Sequence, residues 1–187
     1  MFRVTTLPPE NPPKDDEGNI KFAEDFFGKS ANLTVSGQLE GELFAMAMSR
    51  IYTFGPTFRA ENSNTSRHLS EFWMIEPEMA FFDLQMNIDL AENFLKYLVT
   101  HALDNCREDL ELFENFVDKN LRTRLETVIP HKFARVPYSE AIEILSASGQ
   151  TFEYPVAWGT DLHSEHERFL TEVVFKKPTV VTDYPAS

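Results

Sequence analysis

The most regular alternation of apolar and polar residues lies between residues 51 and 82. Residues 51–61 have the sequence IYTFGPTFRAE, and residues 72–82 have the sequence FWMIEPEMAFF. A period of two is typical of a half-buried strand, because successive side chains point to opposite faces. The polar segment 62–71, NSNTSRHLSE, is rich in turn-forming residues. The pattern therefore predicts a strand, a loop and a second strand, with Arg59 and Glu61 on one face.

Helical periodicity is found on both sides of this predicted hairpin. Residues 40–49, EGELFAMAMS, repeat apolar positions three and four apart, and a longer helix is predicted from Asp89. Further helical patterns cover residues 107–117, 119–128 and 140–147, short strands are predicted at 33–36 and 179–182, and SEHE from Ser164 matches a capping box. We therefore predict an α+β fold, an antiparallel sheet flanked by helices.

The first 25 residues differ in composition from the rest of the chain. Four prolines fall between residues 8 and 13, and an acidic run follows at 15–17, which is typical of irregular structure. We expect an arm or insertion loop over residues 1–25 and a folded, partial domain over residues 26–187. A chain of 187 residues with 42% hydrophobic residues is long enough to bury a core.

Composition also limits the classes of function. A single cysteine excludes a disulfide framework and any site built from several cysteines. Apolar stretches are too short for a membrane helix, and the start of the chain resembles neither a secretory signal nor a transit peptide, so the expected location is cytoplasmic. The net charge of −13 has the wrong sign for binding nucleic acid mainly through phosphate neutralisation.

Charged residues concentrate on one face of the predicted hairpin. Arg59, Glu61, Glu76 and Glu78 share that face, and Arg67 and His68 lie in the connecting loop. Such a cluster is either a binding site or a solvated sheet face. Periodicity alone leaves both interpretations open.

Two strings in this segment carry a specific resemblance. FRAE at residues 58–61 and RHLSEF at 67–72 resemble motif 2 of class II aminoacyl-tRNA synthetases, in its aspartyl/asparaginyl form. Residues 26–185 are similar to the asparaginyl enzymes throughout, including FFGK, LTVSGQLEGE, EFWMIEPE and WGTDLHSEHER. The resemblance implies part of a class II catalytic domain, with motif 2 at about residues 58–82.

The resemblance assigns the ATP contacts to motif 2. It implies that Arg59 holds the α-phosphate and is the catalytic residue, and that Glu61 accepts from the adenine amino group. It further implies that His68, with Arg67 beside it, reaches the γ-phosphate, and that Phe72 stacks on adenine. A fixed guanidinium suits this chemistry, because a carboxylate attacks an anionic phosphorus and negative charge develops there.

The resemblance assigns the amino-acid pocket to the segment that begins at Gln38 and to carboxylates of the second predicted strand. Gln38 matches the pocket glutamine of the family, and Glu76 matches an acid near the substrate α-amino group. Aspartyl enzymes carry a lysine three residues after that glutamine, where this chain has Gly41 followed by Glu42. Without a cation at position 41, the pocket favours a substrate with a side-chain amide over one with a side-chain carboxylate. Glu42 has a second interpretation, an exposed first-turn glutamate favoured by the helix dipole, and Glu78 is a weaker candidate.

The function implied by the resemblance is that of an asparagine–tRNA ligase. Such an enzyme uses ATP and Mg²⁺ to form asparaginyl-adenylate and transfers asparagine to tRNA(Asn). Motif 1, motif 3 and the anticodon-binding domain are not recognisable here, so we expect an internal fragment that is inactive by itself, with the Mg²⁺ ligands elsewhere and a homodimeric full-length enzyme. Two alternatives stay open, an asparagine-forming amidoligase and a non-catalytic paralogue that binds nucleotide or protein.

Two further expectations concern metal and self-association. His163, Glu165 and His166 lie close in sequence, but no third ligand of suitable spacing is visible, so no metal site is predicted. Residues 75–82 form an apolar strand that lacks partner layers, so we expect self-association.

Overall fold

A computed structural model describes residues 1–62 and 68–186. The chain divides into two compact units, Met1–Phe82 and Asp83–Ser187, which are described separately. In the described part of the chain, no helix is both long and apolar enough to cross a membrane.

The first unit is built around one antiparallel hairpin. Strand β1 (Arg3–Val4) pairs with β2 (Ala31–Asn32), and helix α1 (Gln38–Met48) leads into β3 (Arg50–Phe58) and β4 (Glu71–Met79). Strands β3 and β4 pair antiparallel, from Arg50 opposite Met79 to Phe58 opposite Glu71. The two predicted strands are confirmed, as is the helix before them, although β3 ends at Phe58 instead of Glu61. Arg67 lies outside the described residues.

Helix α1 packs against both strands of this hairpin, and it covers the polar face rather than the apolar one. Its buried residues are Gly41 and Ala45, which are small enough to bring the helix close to the strands. The apolar face is exposed, with Tyr52 at 69%, Phe54 at 59% and Trp73 at 61% relative exposure. This is the reverse of an ordinary half-buried strand, and it places Glu76 and Glu78 against α1.

The N-terminal arm is more ordered than its composition predicts. Besides the β1–β2 pair, the carboxylate of Asp25 is buried and accepts hydrogen bonds from the hydroxyls of Thr5 and Thr6. The predicted strand at 33–36 is wrong. The strand is Ala31–Asn32 instead. Beyond it, the carbonyl oxygen of Thr34 accepts a hydrogen bond from the Phe58 amide at 2.9 Å.

The second unit joins a group of helices to a small parallel sheet. Its helices are α2 (Leu84–Asn105), α3 (Arg107–Phe116), α4 (Leu121–Val128), α5 (Tyr138–Ala147) and α6 (Ser164–Arg168), followed by a π-helical turn (Phe169–Val174). Strand β5 (Ala134–Pro137) pairs parallel with β6 (Thr179–Thr182), so β6 is confirmed. The predicted α+β fold, with an antiparallel sheet and flanking helices, is confirmed by the β3–β4 hairpin and the helices, and the parallel pair is an addition to it. Helix α2 begins at Leu84 instead of Asp89, because the Asp83 side chain accepts from the Met86 amide at 2.8 Å.

The predicted capping box is present at the start of α6, but its N-cap is His163 instead of Ser164. The amide of His163 donates to Nδ1 of His166 at 3.1 Å, and Nε2 of His166 lies 3.1 Å from the Tyr154 carbonyl oxygen. Since Nδ1 accepts, Nε2 carries the proton and donates. His166 is buried, so both of its ring nitrogens serve to fix the start of α6.

Candidate functional site

The carboxylate of Glu76, in β4, is the centre of the polar face beneath α1. Its Oε1 accepts from Ser36 Oγ at 2.6 Å, and its Oε2 accepts from the Gly37 amide and Thr53 Oγ1, each at 3.0 Å. Ser36 Oγ also accepts from the Gln38 amide at 2.9 Å. The same group of bonds therefore ties the start of α1 to the middle of both strands.

These contacts keep Glu76 ionised. Burial acts to raise the pKa of the Glu76 carboxyl, but the three hydrogen bonds and the charge of Arg59 outweigh it and lower the pKa below its usual value. A carboxylate that accepts several hydrogen bonds holds its charge more firmly than one in water. Glu76 is thus suited to bind a cationic group such as an α-ammonium.

A second and a third carboxylate lie near Glu76. Gln38 Nε2 donates to Oε1 of Glu42 at 3.0 Å, which joins two residues predicted to face the amino acid. Gly41 lies one turn into the same helix, and a Cβ built there would come within 3.2 Å of Glu78 Cγ. Position 41, at which the resemblance implies a lysine in the aspartyl enzymes, therefore lies against Glu78.

The raised pKa of Glu78 indicates that several negative charges lie close together. Burial raises the pKa of the Glu78 carboxyl, and the charges of Glu42 and Glu76 raise it further. Like charges that disfavour one another's ionisation mark a region of negative potential. Such a region attracts cations and hydrogen-bond donors and repels a ligand carboxylate.

Arg59 lies just beyond the end of β3, still paired with the opposite side of the hairpin. Its amide donates to the Ser70 carbonyl at 3.0 Å. Its guanidinium lies over the ring of Phe72, with Cζ 5.3 Å from the ring centroid, and donates to Val35 O at 3.5 Å. Arg59 and Phe72 are therefore neighbours in the structure.

A cavity of about 320 Å³ opens beside this arginine. It is lined by Met1, Val35, Ser36, Arg59, Ala60 and Glu61. Glu61 Oε2 lies 3.7 Å from His68 Nε2, and both side chains are about half exposed. The side chains of Glu61 and His68 are therefore neighbours, which the sequence did not predict.

The structure unites most of the predicted site and adds three residues to it. Ser36, Gly37 and Thr53 hold the Glu76 carboxylate, and no role was assigned to them from the sequence. Ser36 and Gly37 directly precede the recognised glutamine, and Thr53 lies on the polar face of its strand. Position on that face was the one available signal for Thr53.

Within residues 1–62 and 68–186, no group of three or more histidine, cysteine, aspartate or glutamate side chains is arranged to hold a metal ion. His163, Glu165 and His166 are instead engaged in local contacts. Glu165 accepts from the amides of Glu153 and Tyr154 at 3.0 and 2.7 Å, which fixes the loop before α6.

Comparison with known proteins agrees with the fold. The family described as tRNA synthetases class II (D, K and N) matches residues 17–187. An antiparallel hairpin packed against a flanking helix is consistent with that class. The chain belongs to the class II tRNA synthetase family.

Its relatives point to one member of that family. The chain is 63% identical over 185 residues to the asparagine–tRNA ligase of Alkaliphilus oremlandii and 62% identical to that of Clostridium novyi, covering 99% of this chain and 40% of each relative. The asparaginyl-tRNA synthetase of Pyrococcus horikoshii, solved with asparaginyl-adenylate, is 37% identical with a TM-score of 0.71, over 86% of this chain and 34% of that one. The chain thus spans about two fifths of the length of its curated relatives.

Proposed function

We propose that this chain is the part of an asparagine–tRNA ligase that recognises asparagine and the ATP α-phosphate. Identities of 62 and 63% to enzymes of that name support the proposal, and so does the adenylate-bound neighbour. The complete reaction joins asparagine to ATP as asparaginyl-adenylate, releases pyrophosphate, and transfers the asparaginyl group to tRNA(Asn).

In this proposal, Arg59 stabilises the negative charge that develops during adenylate formation. The asparagine α-carboxylate attacks the α-phosphorus, a new O–P bond forms, and the bond to pyrophosphate breaks. Negative charge increases on the α-phosphate oxygens in the transition state, where a preorganised guanidinium stabilises it. The Phe72 ring and the Val35 carbonyl restrict the guanidinium beforehand, so little reorganisation is required.

The observation that carries the choice of amino acid is the acidic group around Gly41. Glu42 and Glu76 lie close enough to Glu78 for their charges to raise the pKa of its carboxyl, in addition to the effect of burial. The α-ammonium pairs with Glu76, and an asparagine side-chain amide donates to Glu42, whereas an aspartate side chain meets repulsion. The same geometry disfavours an amidoligase, which forms asparagine from aspartyl-adenylate and needs a cation in the pocket.

The remaining ATP contacts follow the family pattern. Glu61 accepts from the adenine amino group, Phe72 stacks on adenine, and His68 and Arg67 reach the γ-phosphate. Glu61 and His68 contact each other in this structure, so nucleotide binding separates them. The described residues offer no fitting group for Mg²⁺, whose ligands we place in the remainder of the enzyme.

The partners of the whole enzyme lie largely outside this chain. We expect tRNA to be bound mainly by other parts, because the net charge of −13 opposes phosphate binding. A homodimer and a cytoplasmic location are expected for the full-length enzyme. A non-catalytic paralogue is disfavoured because Arg59 and Glu61 are both retained and line one cavity.

Calorimetric titration with non-hydrolysable adenylate analogues tests the proposal. The chain is titrated with the asparaginyl and the aspartyl analogue, and the Arg59→Ala variant serves as the control for the phosphate contact. We expect the asparaginyl analogue to bind more tightly, and the variant to lose about tenfold to a hundredfold in affinity, as for one charged hydrogen-bonding group.

Three results would count against the proposal. Equal affinity for both analogues would remove the selectivity assigned to the acidic group. Unchanged binding by Arg59→Ala would remove the phosphate contact. Failure of the chain to bind either analogue would show that these residues do not form the recognition site by themselves.

A further inference from the structure

Thr53 is a residue of the site to which the family resemblance assigned no role. It lies in β3, opposite Glu76 in the strand register, and its hydroxyl donates to Glu76 Oε2 at 3.0 Å. Directly opposed residues of an antiparallel pair have adjacent side chains. Thr53 therefore reaches the carboxylate from the sheet, while Ser36 and Gly37 reach it from the start of α1.

The hydrogen-bonding capacity of Glu76 shows what this arrangement leaves for a ligand. A carboxylate offers about four lone-pair positions. Of the groups in the described residues, Gly37 and Thr53 donate to Oε2, and Ser36 donates to Oε1. Oε2 is thus saturated, and one position on Oε1 is left for a further donor.

The packing around Thr53 is tight on the helix side. A Cβ at position 37 would meet Thr53 Oγ1 at 2.6 Å and Thr53 Cβ at 2.9 Å. Glycine at 37 therefore allows its own amide and the Thr53 hydroxyl to reach the same oxygen.

We propose that Thr53 is a positioning residue for amino-acid recognition: it fixes the Glu76 carboxylate so that Oε1 faces the α-ammonium group of the substrate. This inference rests on the proposed function and adds to it a residue that acts through Glu76 without contacting the ligand. The lowered pKa of Glu76 is consistent with this role, because the Thr53 bond favours the ionised carboxylate.

Thr57 provides a matched control in the same strand. It lies four residues further along β3, on the same face, and is almost fully buried. Its hydroxyl donates to the Phe72 carbonyl at 3.1 Å, away from Glu76. Threonine to valine at either position removes one hydroxyl and keeps the β-branched shape, so the two variants differ in the partner that is lost.

The experiment compares two ligands and three variants of the full 187-residue chain. The ligands are the asparaginyl-adenylate analogue and the same analogue without its α-amino group. The variants are Thr53→Val, Thr53→Ser and Thr57→Val. Carbon-13 NMR of the glutamate carboxyls, assigned with Glu76→Gln, follows the titration of Glu76 in each.

We expect Thr53→Val to reduce the advantage of the amino-bearing analogue by about tenfold, the effect of losing one hydrogen bond to a charged group. We also expect it to raise the pKa of Glu76. Thr53→Ser restores both properties, and Thr57→Val leaves both unchanged.

The outcomes separate the inference from the proposed function. If the chain binds the amino-bearing analogue preferentially and Thr53→Val does not alter that preference, the inference is overturned and the function stands. An equal effect of Thr57→Val would likewise overturn it, since it would show a general loss of stability. If the unmodified chain binds neither analogue, the proposed function fails and the inference with it, whatever the NMR titration shows.

Discussion

Two neighbouring carboxylates of β4 have pKa values shifted in opposite directions by their surroundings. Glu76 and Glu78 are on the same face of one strand, two residues apart. Three hydrogen bonds and Arg59 outweigh burial and lower the pKa of Glu76, whereas burial and two neighbouring carboxylates raise the pKa of Glu78. One is therefore a stable anion suited to bind an ammonium group, and the other carries an electrostatic cost in the folded state.

That cost predicts a pH-dependent effect of Glu78→Gln on stability. Because the folded-state pKa of Glu78 is raised, its penalty is present above that pKa and disappears below the ordinary value of 4.5, where the folded and unfolded chains are both protonated. We expect the variant to increase the free energy of unfolding at pH 7 and to leave it unchanged at pH 3. Urea denaturation at the two pH values measures this.

The control for Glu78→Gln is Glu40→Gln, which also removes one negative charge but lies exposed in the first turn of α1. An equal gain in both variants would assign the effect to net charge. No gain at pH 7, or the same gain at pH 3, would contradict the electrostatic account of Glu78.

At the scale of elements, the site depends on how closely α1 approaches the hairpin. Gly37 and Gly41 are the contact positions, and a Cβ at either would come within 3.2 Å or less of β3 or β4 side chains. Gly37 has a negative φ of −92°, which any residue can adopt. Glycine is needed at this position because a larger side chain would collide with Thr53. The approach is what allows groups from the start of α1 to bond Glu76.

Gly37→Ala tests this approach. The added methyl would overlap with the Thr53 side chain, and we expect a loss of about 1–3 kcal/mol in unfolding free energy, as for overpacking. Gly55→Ala in β3 is the control, because nothing lies within 4 Å of its Cβ position, and its effect should stay within about 0.5 kcal/mol. Thermal or urea denaturation of both variants makes the comparison. Equal stabilities would show that α1 does not need this glycine.

At the scale of the whole molecule, the apolar face of the β3–β4 hairpin is an exposed surface. Tyr52, Phe54, Trp73 and Ile75 lie on it, and the rings of Phe54 and Trp73 are 5.0 Å apart. The predicted exposure of the apolar strand is therefore confirmed for Ile75 and Phe81. A contiguous apolar face of this kind is expected to bind a second copy when nothing else covers it.

Trp73→Lys should weaken this association. We expect the unmodified chain to show concentration-dependent self-association in sedimentation equilibrium, and the variant to shift the equilibrium toward monomer. Phe116→Lys, at an 81% exposed site in α3 of the second unit, makes the same change of charge outside the hairpin sequence and should have little effect. A monomeric unmodified chain, or equal effects of the two variants, would contradict the assignment to this face.

The sequence by itself determined the local elements and the family. Period-two alternation located both strands of the hairpin, because alternation depends only on which side chains point to each face. Helix α1 and strand β6 were predicted for similarly local reasons, and the strings FRAE and RHLSEF identified motif 2. The roles given to Arg59, Gln38 and Glu76 came from that resemblance and stay predictions.

Tertiary structure alone decided which face of the hairpin is covered and what surrounds each charge. The alternation of residues is the same whichever face is buried, so only the packing of α1 placed Glu76 beneath a helix and left Trp73 exposed. Ser36 lies 40 residues from Glu76 in sequence, and Thr53 lies 23 residues from it. No local pattern encodes such pairings, because hydrogen bonds across distant segments exist only after the chain has folded.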